Sequence, residues 1–157
     1  PGIYALGDVK GGPAFTHIAY NDHIILSKNI IHQSKISIKG RPVPYTIFID
    51  PQLARIGLTE MEARKQHLHI NVVTLPMDHV ARGIETGETK GLMKAIVDAD
   101  NKQVLGAAIL GSEGGEVMSV LQMAMLGKIT YEQIRENIFA HPLYSESLNN
   151  LFAQLDK

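Results

Sequence analysis

The segment Glu116–Leu126 is apolar nearly all round: Val117, Met118, Val120, Leu121, Met123, Ala124, Met125 and Leu126 leave no continuous polar face. This run, with Gly127 to close it, predicts a helix. A helix without a polar face is buried on two sides. One side can rest on the chain's own sheet. The other needs a second surface, most simply another subunit; a central helix in a monomer is the other arrangement that satisfies the same burial. The methionines suit an interface, because their thioether chains adapt to irregular shapes.

The elements before and after this segment set the fold class. Tyr45–Ile49 is β-branched and aromatic and predicts a strand that Asp50-Pro51 stops. Thr59 followed by Glu62 is a capping box that opens a short helix to about Gln66. Asn71–Leu75, Gly91–Asp98 and Gln103–Leu110 predict further strands, the last two joined as a hairpin through Asp98–Lys102. Beyond the apolar helix, Thr130 caps a second helix to about Ile138, and Pro142 is expected to start a third that runs to about Leu155. A run of strands followed by a run of helices argues α+β, an antiparallel sheet with helices on one side.

The first forty residues differ in character. Ile3–Leu6 predicts a short apolar strand ending at Gly7-Asp8, followed by the glycine-rich loop Lys10-Gly11-Gly12-Pro13 and a helix over Thr16–Ile31. Gln33–Pro44 is polar, turns at Lys39-Gly40-Arg41-Pro42, and reads as a linker. The expected division is therefore 1–40 as one layer and 41–157 as the α+β domain. A chain that opens on a core strand reads as a piece of a longer protein.

Charge and cysteine content narrow the function. The net charge is −1 with no basic stripe, so neither nucleic acid nor an anionic membrane is an expected partner. No apolar run approaches the ~18 residues of a membrane span. The chain has no cysteine, which fits a cytoplasmic setting and removes the thiol as a nucleophile. Among seven histidines, His67 and His69 share a face of an extended segment, but no third ligand accompanies them, so no metal site is expected.

The histidine with chemistry to offer is His141, in His141-Pro142-Leu143-Tyr144-Ser145-Glu146. A histidine held by a carboxylate makes a general base or acid, and Glu146 stands five residues on. Such a base needs a group to deprotonate, naturally a thiol, and this chain lacks one. Ser145 is not in a nucleophile elbow and reads as a local hydrogen-bonding residue. A capping or core histidine is the structural alternative for His141. Near the start, Ala5-x-Gly7-Asp8 at a strand end, then a glycine loop and a helix beginning at Thr16, make a plausible cofactor edge, although Gly-Asp turns are also common in plain loops. It is not a phosphate-cradling loop, since no Gly-Lys-Ser/Thr follows.

Taken in order, Ala5-x-Gly7-Asp8, Phe48-Ile49-Asp50-Pro51, Ala54-x-x-Gly57-Leu58-Thr59-Glu60, Gly91-Leu92-Met93-Lys94, Leu105-Gly106, Gly111, Gly115-Glu116 and His141-Pro142-x-x-Ser145-Glu146 closely resemble the C-terminal portion of the pyridine nucleotide–disulfide oxidoreductases. That family includes glutathione reductase, lipoamide dehydrogenase and mercuric reductase. The resemblance spans essentially the whole chain. It implies a dimerisation domain from about Pro44 onward, preceded by the tail of an FAD-binding domain. It implies that Asp8 binds the ribityl or phosphate region of FAD, and that backbone N–H groups around Thr16 and His17 face the flavin pyrimidine edge. It implies a homodimer in which His141, oriented by Glu146, manages a thiol of the other subunit. FAD and NAD(P)H are the cofactors it implies for the parent enzyme, with a disulfide or related sulfur compound as substrate. The family's cysteine pair, glycine-rich FAD motif and NAD(P)H domain lie upstream of these motifs. This chain alone is therefore expected to be inactive and to bind little or no FAD. The C-terminal cysteine pair of mercuric reductases has no counterpart here, which disfavours mercury reduction. The competing readings are a non-catalytic interaction module and an NAD(P)H-linked peroxide or thiol reductase with another nucleophile.

Overall fold

The computed structural model describes residues 2–156. The chain divides into two compact units, one up to Val43 and one from Pro44 onward.

In the first unit, a 3₁₀ turn (Gly7–Lys10) precedes helix α1 (Thr16–Ile31). The turn begins at Gly7, whose φ of +69° is open to glycine at little cost. Helix α1 matches its expected span. Residues 3–6, expected as a strand, are not one: Ile3 is 96% exposed and the segment belongs to no sheet. An apolar run becomes a strand only where a neighbouring strand accepts its ladder, and none lies among the described residues of this unit. The linker turns at Lys39-Gly40, with the Arg41 N–H donating to Ile38 O at 3.3 Å.

The second unit holds a five-stranded antiparallel sheet. Strands β1 (Tyr45–Ile47) and β2 (Leu53–Gly57) are followed by helix α2 (Glu60–Lys65) and strand β3 (Ile70–Pro76). A 3₁₀ turn (Met77–His79) leads into helix α3 (Ala81–Thr86). Strands β4 (Leu92–Asp98) and β5 (Val104–Leu110) form the expected hairpin. The helices α4 (Gly114–Leu126), α5 (Tyr131–Glu136) and α6 (Ser147–Ala153) follow, and a 3₁₀ turn (Gln154–Asp156) ends the described chain. The strand order is β1-β2-β5-β4-β3. This is the expected α+β architecture.

Local chemistry explains most boundaries. The Thr59 hydroxyl accepts from Glu62 N–H while the Glu62 carboxylate accepts from Thr59 N–H at 2.7 Å, a closed capping box. Thr130 and Gln133 build the same device at the start of α5. The β4–β5 turn is organised by Asp98, whose carboxylate accepts from the backbone N–H groups of Asn101 and Asp100. Those two donors hold its carboxyl below the ordinary range against the opposing effect of burial. Gly106 lets Leu58 lie against β5, since a Cβ there would meet Leu58 O at 2.0 Å.

The core lies between one sheet face and the C-terminal helices. Ile56, Val73, Met93, Ala95, Val97 and Ile109 on the sheet meet Val117 and Leu121 of α4 and Leu148, Leu151 and Phe152 of α6. Each large side chain buried here contributes roughly 1.5–3 kcal/mol. The other sheet face carries Lys94, whose ammonium reaches Glu60 of α2 at 2.7 Å.

Elsewhere the elements depart from expectation. Strand β2 and helix α3 were not anticipated: β2 mixes Arg55 and Gly57 into its pattern, and α3 carries Gly83 in mid-helix. The helix closes at Gly127 as expected, with Gly127 right-handed (φ −77°) and Lys128 taking the left-handed turn (φ +54°). The α5 helix stops at Glu136, where Asn137 becomes extended. Pro142 does not begin a helix: residues 141–146 form turns across a cis His141–Pro142 peptide, and α6 starts at Ser147.

Candidate functional site

His141 and Glu146 are brought together. The Nδ1 atom of His141 lies 2.9 Å and 3.1 Å from the two Glu146 carboxylate oxygens. An ionised carboxylate only accepts, so Nδ1 carries the hydrogen and Nε2 is left with a lone pair able to take a proton. The histidine side chain is 64% exposed and the glutamate side chain 31%, so the pair is open to an approaching group while its carboxylate is partly sheltered.

The fold holds the glutamate end of this pair firmly. Glu146 is the N-cap residue of α6, yet its side chain makes no capping bond and turns back to the imidazole instead. The helix behind it buries Ser147, Leu148, Leu151 and Phe152. The Asn149 amide ties α6 to the end of α5 through the carbonyls of Ile134, Arg135 and Asn137. The backbone carbonyl of Ser145 accepts from the Leu148 N–H at 3.1 Å.

The expected cofactor residues lie in the first unit. Asp8 sits exposed in the Gly7–Lys10 turn, and its carbonyl accepts from the Gly11 N–H at 3.0 Å. Thr16 and His17, both exposed, form the first turn of α1, with the His17 ring stacked on Phe15. The N-cap Phe15 offers no side-chain acceptor and the first turn holds no acid. The positive end of a 16-residue helix is thus uncompensated by a carboxylate of its own, a setting that suits an electron-rich or anionic group.

Asp22 was not anticipated. It is 5% exposed and accepts from the Gly7 N–H at 2.9 Å, while Lys10 at 3.1 Å and Arg41 at 2.7 Å pair with its carboxylate. Burial raises its pKa, but the Gly7 N–H, Arg41 and Lys10 together outweigh it and hold the carboxyl below the usual range. Asp22 therefore fastens the turn that carries Asp8 to α1. Asp22 is the single acid of α1, and that was the available signal.

Helix α4 buries one side and shows the other. Val117, Met118 and Leu121 face the core, whereas Met123 and Leu126 remain 63% and 70% exposed. Val120, Met123, Ala124, Ile129, Ile134 and Phe139 line an apolar groove on that outer side. His69 lies 3.0 Å from Asp100, and His67 stands at a left-handed turn (φ +56°).

Residues 43–152 match the family model described as the pyridine nucleotide-disulphide oxidoreductase dimerisation domain. The chain is 40% identical over 152 residues to a probable pyridine nucleotide-disulfide oxidoreductase, RclA, of Escherichia coli, covering 96% of this chain and 34% of that protein. It is 31% identical over 155 residues to a mercuric reductase of Staphylococcus aureus, covering 99% of this chain and 28% of that protein. The solved structure of the HOCl-induced flavoprotein disulfide reductase RclA from Escherichia coli superposes with a TM-score of 0.91 at 40% identity, over 96% of this chain and 35% of that one. The chain thus spans about a third of the length of the relatives it matches.

Proposed function

Because the chain belongs to the pyridine nucleotide–disulphide oxidoreductase family through its dimerisation domain, we propose that it is the dimer-forming part of an FAD-dependent NAD(P)H:disulfide, or related sulfur-substrate, reductase. In this reading His141 and Glu146 act on a redox cysteine of the partner subunit. The observation that carries it is the Nδ1–carboxylate contact at 2.9 Å, which leaves Nε2 for a partner this chain does not contain.

The proton chemistry follows from that geometry. Nε2 takes the proton of a cysteine thiol, and the resulting thiolate is the reactive form. Glu146 stabilises the imidazolium and fixes the ring's orientation. The thiolate attacks a substrate sulfur, the substrate S–S bond breaks, and the departing thiolate takes the proton back from Nε2.

Asp8 and the N–H groups at Thr16 and His17 would hold FAD, and Asp22 would keep their two segments together. The chemistry supplied by bound FAD is electron transfer from NAD(P)H to the cysteine disulfide. The groove over Val120, Met123 and Ile129 is the surface on which a second copy would seat, and the methionine there suits a two-fold contact. No helix among the described residues is long and apolar enough to cross a membrane.

The test is His141→Ala in the full-length enzyme. Disulfide turnover should fall by about 10²–10⁴-fold, while flavin reduction by NAD(P)H and the dimer are retained. Unchanged turnover would remove His141 from the chemistry and leave this part of the enzyme a dimer-forming role alone.

A further inference from the structure

The glutamate end of the pair is anchored by α6, while the histidine end sits in a loop that Phe139, packed against the core cluster, holds on its N-terminal side. Ile138 and Leu143 are exposed, and the His141 side chain itself projects outward. Between these residues and α6 stands Tyr144. Its ring packs against the core cluster, its carbonyl accepts from the Ser147 N–H at 3.2 Å, and its hydroxyl lies 2.7 Å from Thr86 Oγ1 at the end of α3. Among the described residues, this is the side-chain hydrogen bond that ties residues 138–146 to another element.

The direction of that bond is fixed by its surroundings. Thr86 Oγ1 is 2.9 Å from Arg82 O, and a carbonyl can only accept. The threonine spends its single hydrogen there, so the Tyr144 hydroxyl donates to Thr86. The chain runs Tyr144 O–H to Thr86 Oγ1, then Thr86 O–H to the Arg82 carbonyl. Its far end is rigid. Met77 and Val80, immediately before α3, are fully buried, and Gly83 is buried so closely that a Cβ would meet Glu88 O at 3.0 Å and Met77 O at 3.1 Å.

We propose that Tyr144 is a positioning residue for the His141–Glu146 pair, latching the histidine loop to α3 through the Thr86 hydroxyl. It touches no reacting atom; it restricts where the imidazole stands. Small displacements of a catalytic group are costly because proton transfer requires hydrogen-bond reach and alignment. The inference rests on the proposed role of His141.

The experiment uses the full-length holoenzyme and four variants: Tyr144→Phe, Thr86→Val, their double, and Thr86→Ser. Tyr144→Phe keeps the ring and its packing and should fold. Its disulfide turnover should drop about three- to tenfold, the factor that one neutral hydrogen bond commonly governs. The KM for NAD(P)H and the rate of flavin reduction should stay at wild-type values, which a general loss of structure would not leave intact. Thr86→Val should match Tyr144→Phe, and the double variant should be no worse than either single, because all three remove the same bond. Thr86→Ser, which keeps the hydroxyl, should recover most of the loss. Additive effects, or wild-type turnover in Tyr144→Phe, would overturn the latch. A parallel His141→Ala measurement separates the two ideas. Slow His141→Ala with normal Tyr144→Phe defeats the latch alone. Normal His141→Ala defeats the proposed function and leaves the latch nothing to position.

Discussion

The two units of this chain are held together by different physics. From Pro44 onward, buried apolar side chains from four strands and three helices form one continuous cluster, with Leu121, Leu148, Leu151 and Phe152 fully enclosed. Up to Val43, the buried described residues are Ile18 and Asp22, while Ile3, Tyr4, Val9, Tyr20, Ile30 and Ile31 lie open. That unit is organised around a carboxylate that gathers a backbone N–H, a lysine and an arginine. Apolar burial is non-directional and insensitive to pH, whereas an ionic hub depends on geometry and on the charge of one group. The first unit should therefore be the conditional part of the molecule.

The sharpest break of this comparison is in the core. Leu121→Ala should cost about 2–5 kcal/mol, read as a shift in the cooperative unfolding of the sheet unit by denaturant. A cost below about 1 kcal/mol would mean that α4 is not packed as described. Next is Asp22→Asn. It should strip hydrogen-exchange protection from α1 and the Gly7–Lys10 turn while the β4–β5 amides keep theirs. Equal loss in both units would dissolve the distinction.

Acid should separate the units in the same order. Asp22 titrates lower in the folded chain than in the unfolded one, so its stabilisation is complete above the unfolded value of about 4 and is lost as pH falls through the folded value. Exchange protection in α1 should begin to fall below about pH 4 and should fall before that of the sheet. The sheet unit also holds carboxylates with lowered pKa, but Glu60 pairs with Lys94 and Arg64 at the solvent boundary, where water screens the pair. The smallest effect is local: Thr59→Ala opens the capping box of α2 and should cost about 1 kcal/mol, with no change in the first unit.

What was legible in the sequence was what short-range chemistry decides. The capping box at Thr59, the cap at Thr130, the turn around Asp98 and the helix α1 depend on residues within a few positions of one another. The His141–Glu146 contact was legible for the same reason, since five residues in a turn bring the two side chains within reach. What failed depends on partners far along the chain or outside it. Residues 3–6 read as a strand but find no strand to pair with. β2 is fixed by β1 and β5 on either side, not by its own pattern. Pro142 offers a helix start that the turn through His141–Glu146 overrides. The Thr86–Tyr144 bond joins positions 58 apart, through a helix that Gly83 conceals.

The central claim is that His141 and Glu146 complete an active site in the other subunit, and subunit mixing tests it most directly. Full-length His141→Ala enzyme is mixed with a full-length variant whose redox cysteine is replaced by serine, and the subunits are exchanged. Each variant alone should be nearly inactive. Half of the exchanged dimers should be mixed, each with one complete site of two, so turnover should recover to about a quarter of wild type. If the mixed dimers form and turnover stays at the level of the inactive parents, the histidine does not work across the interface.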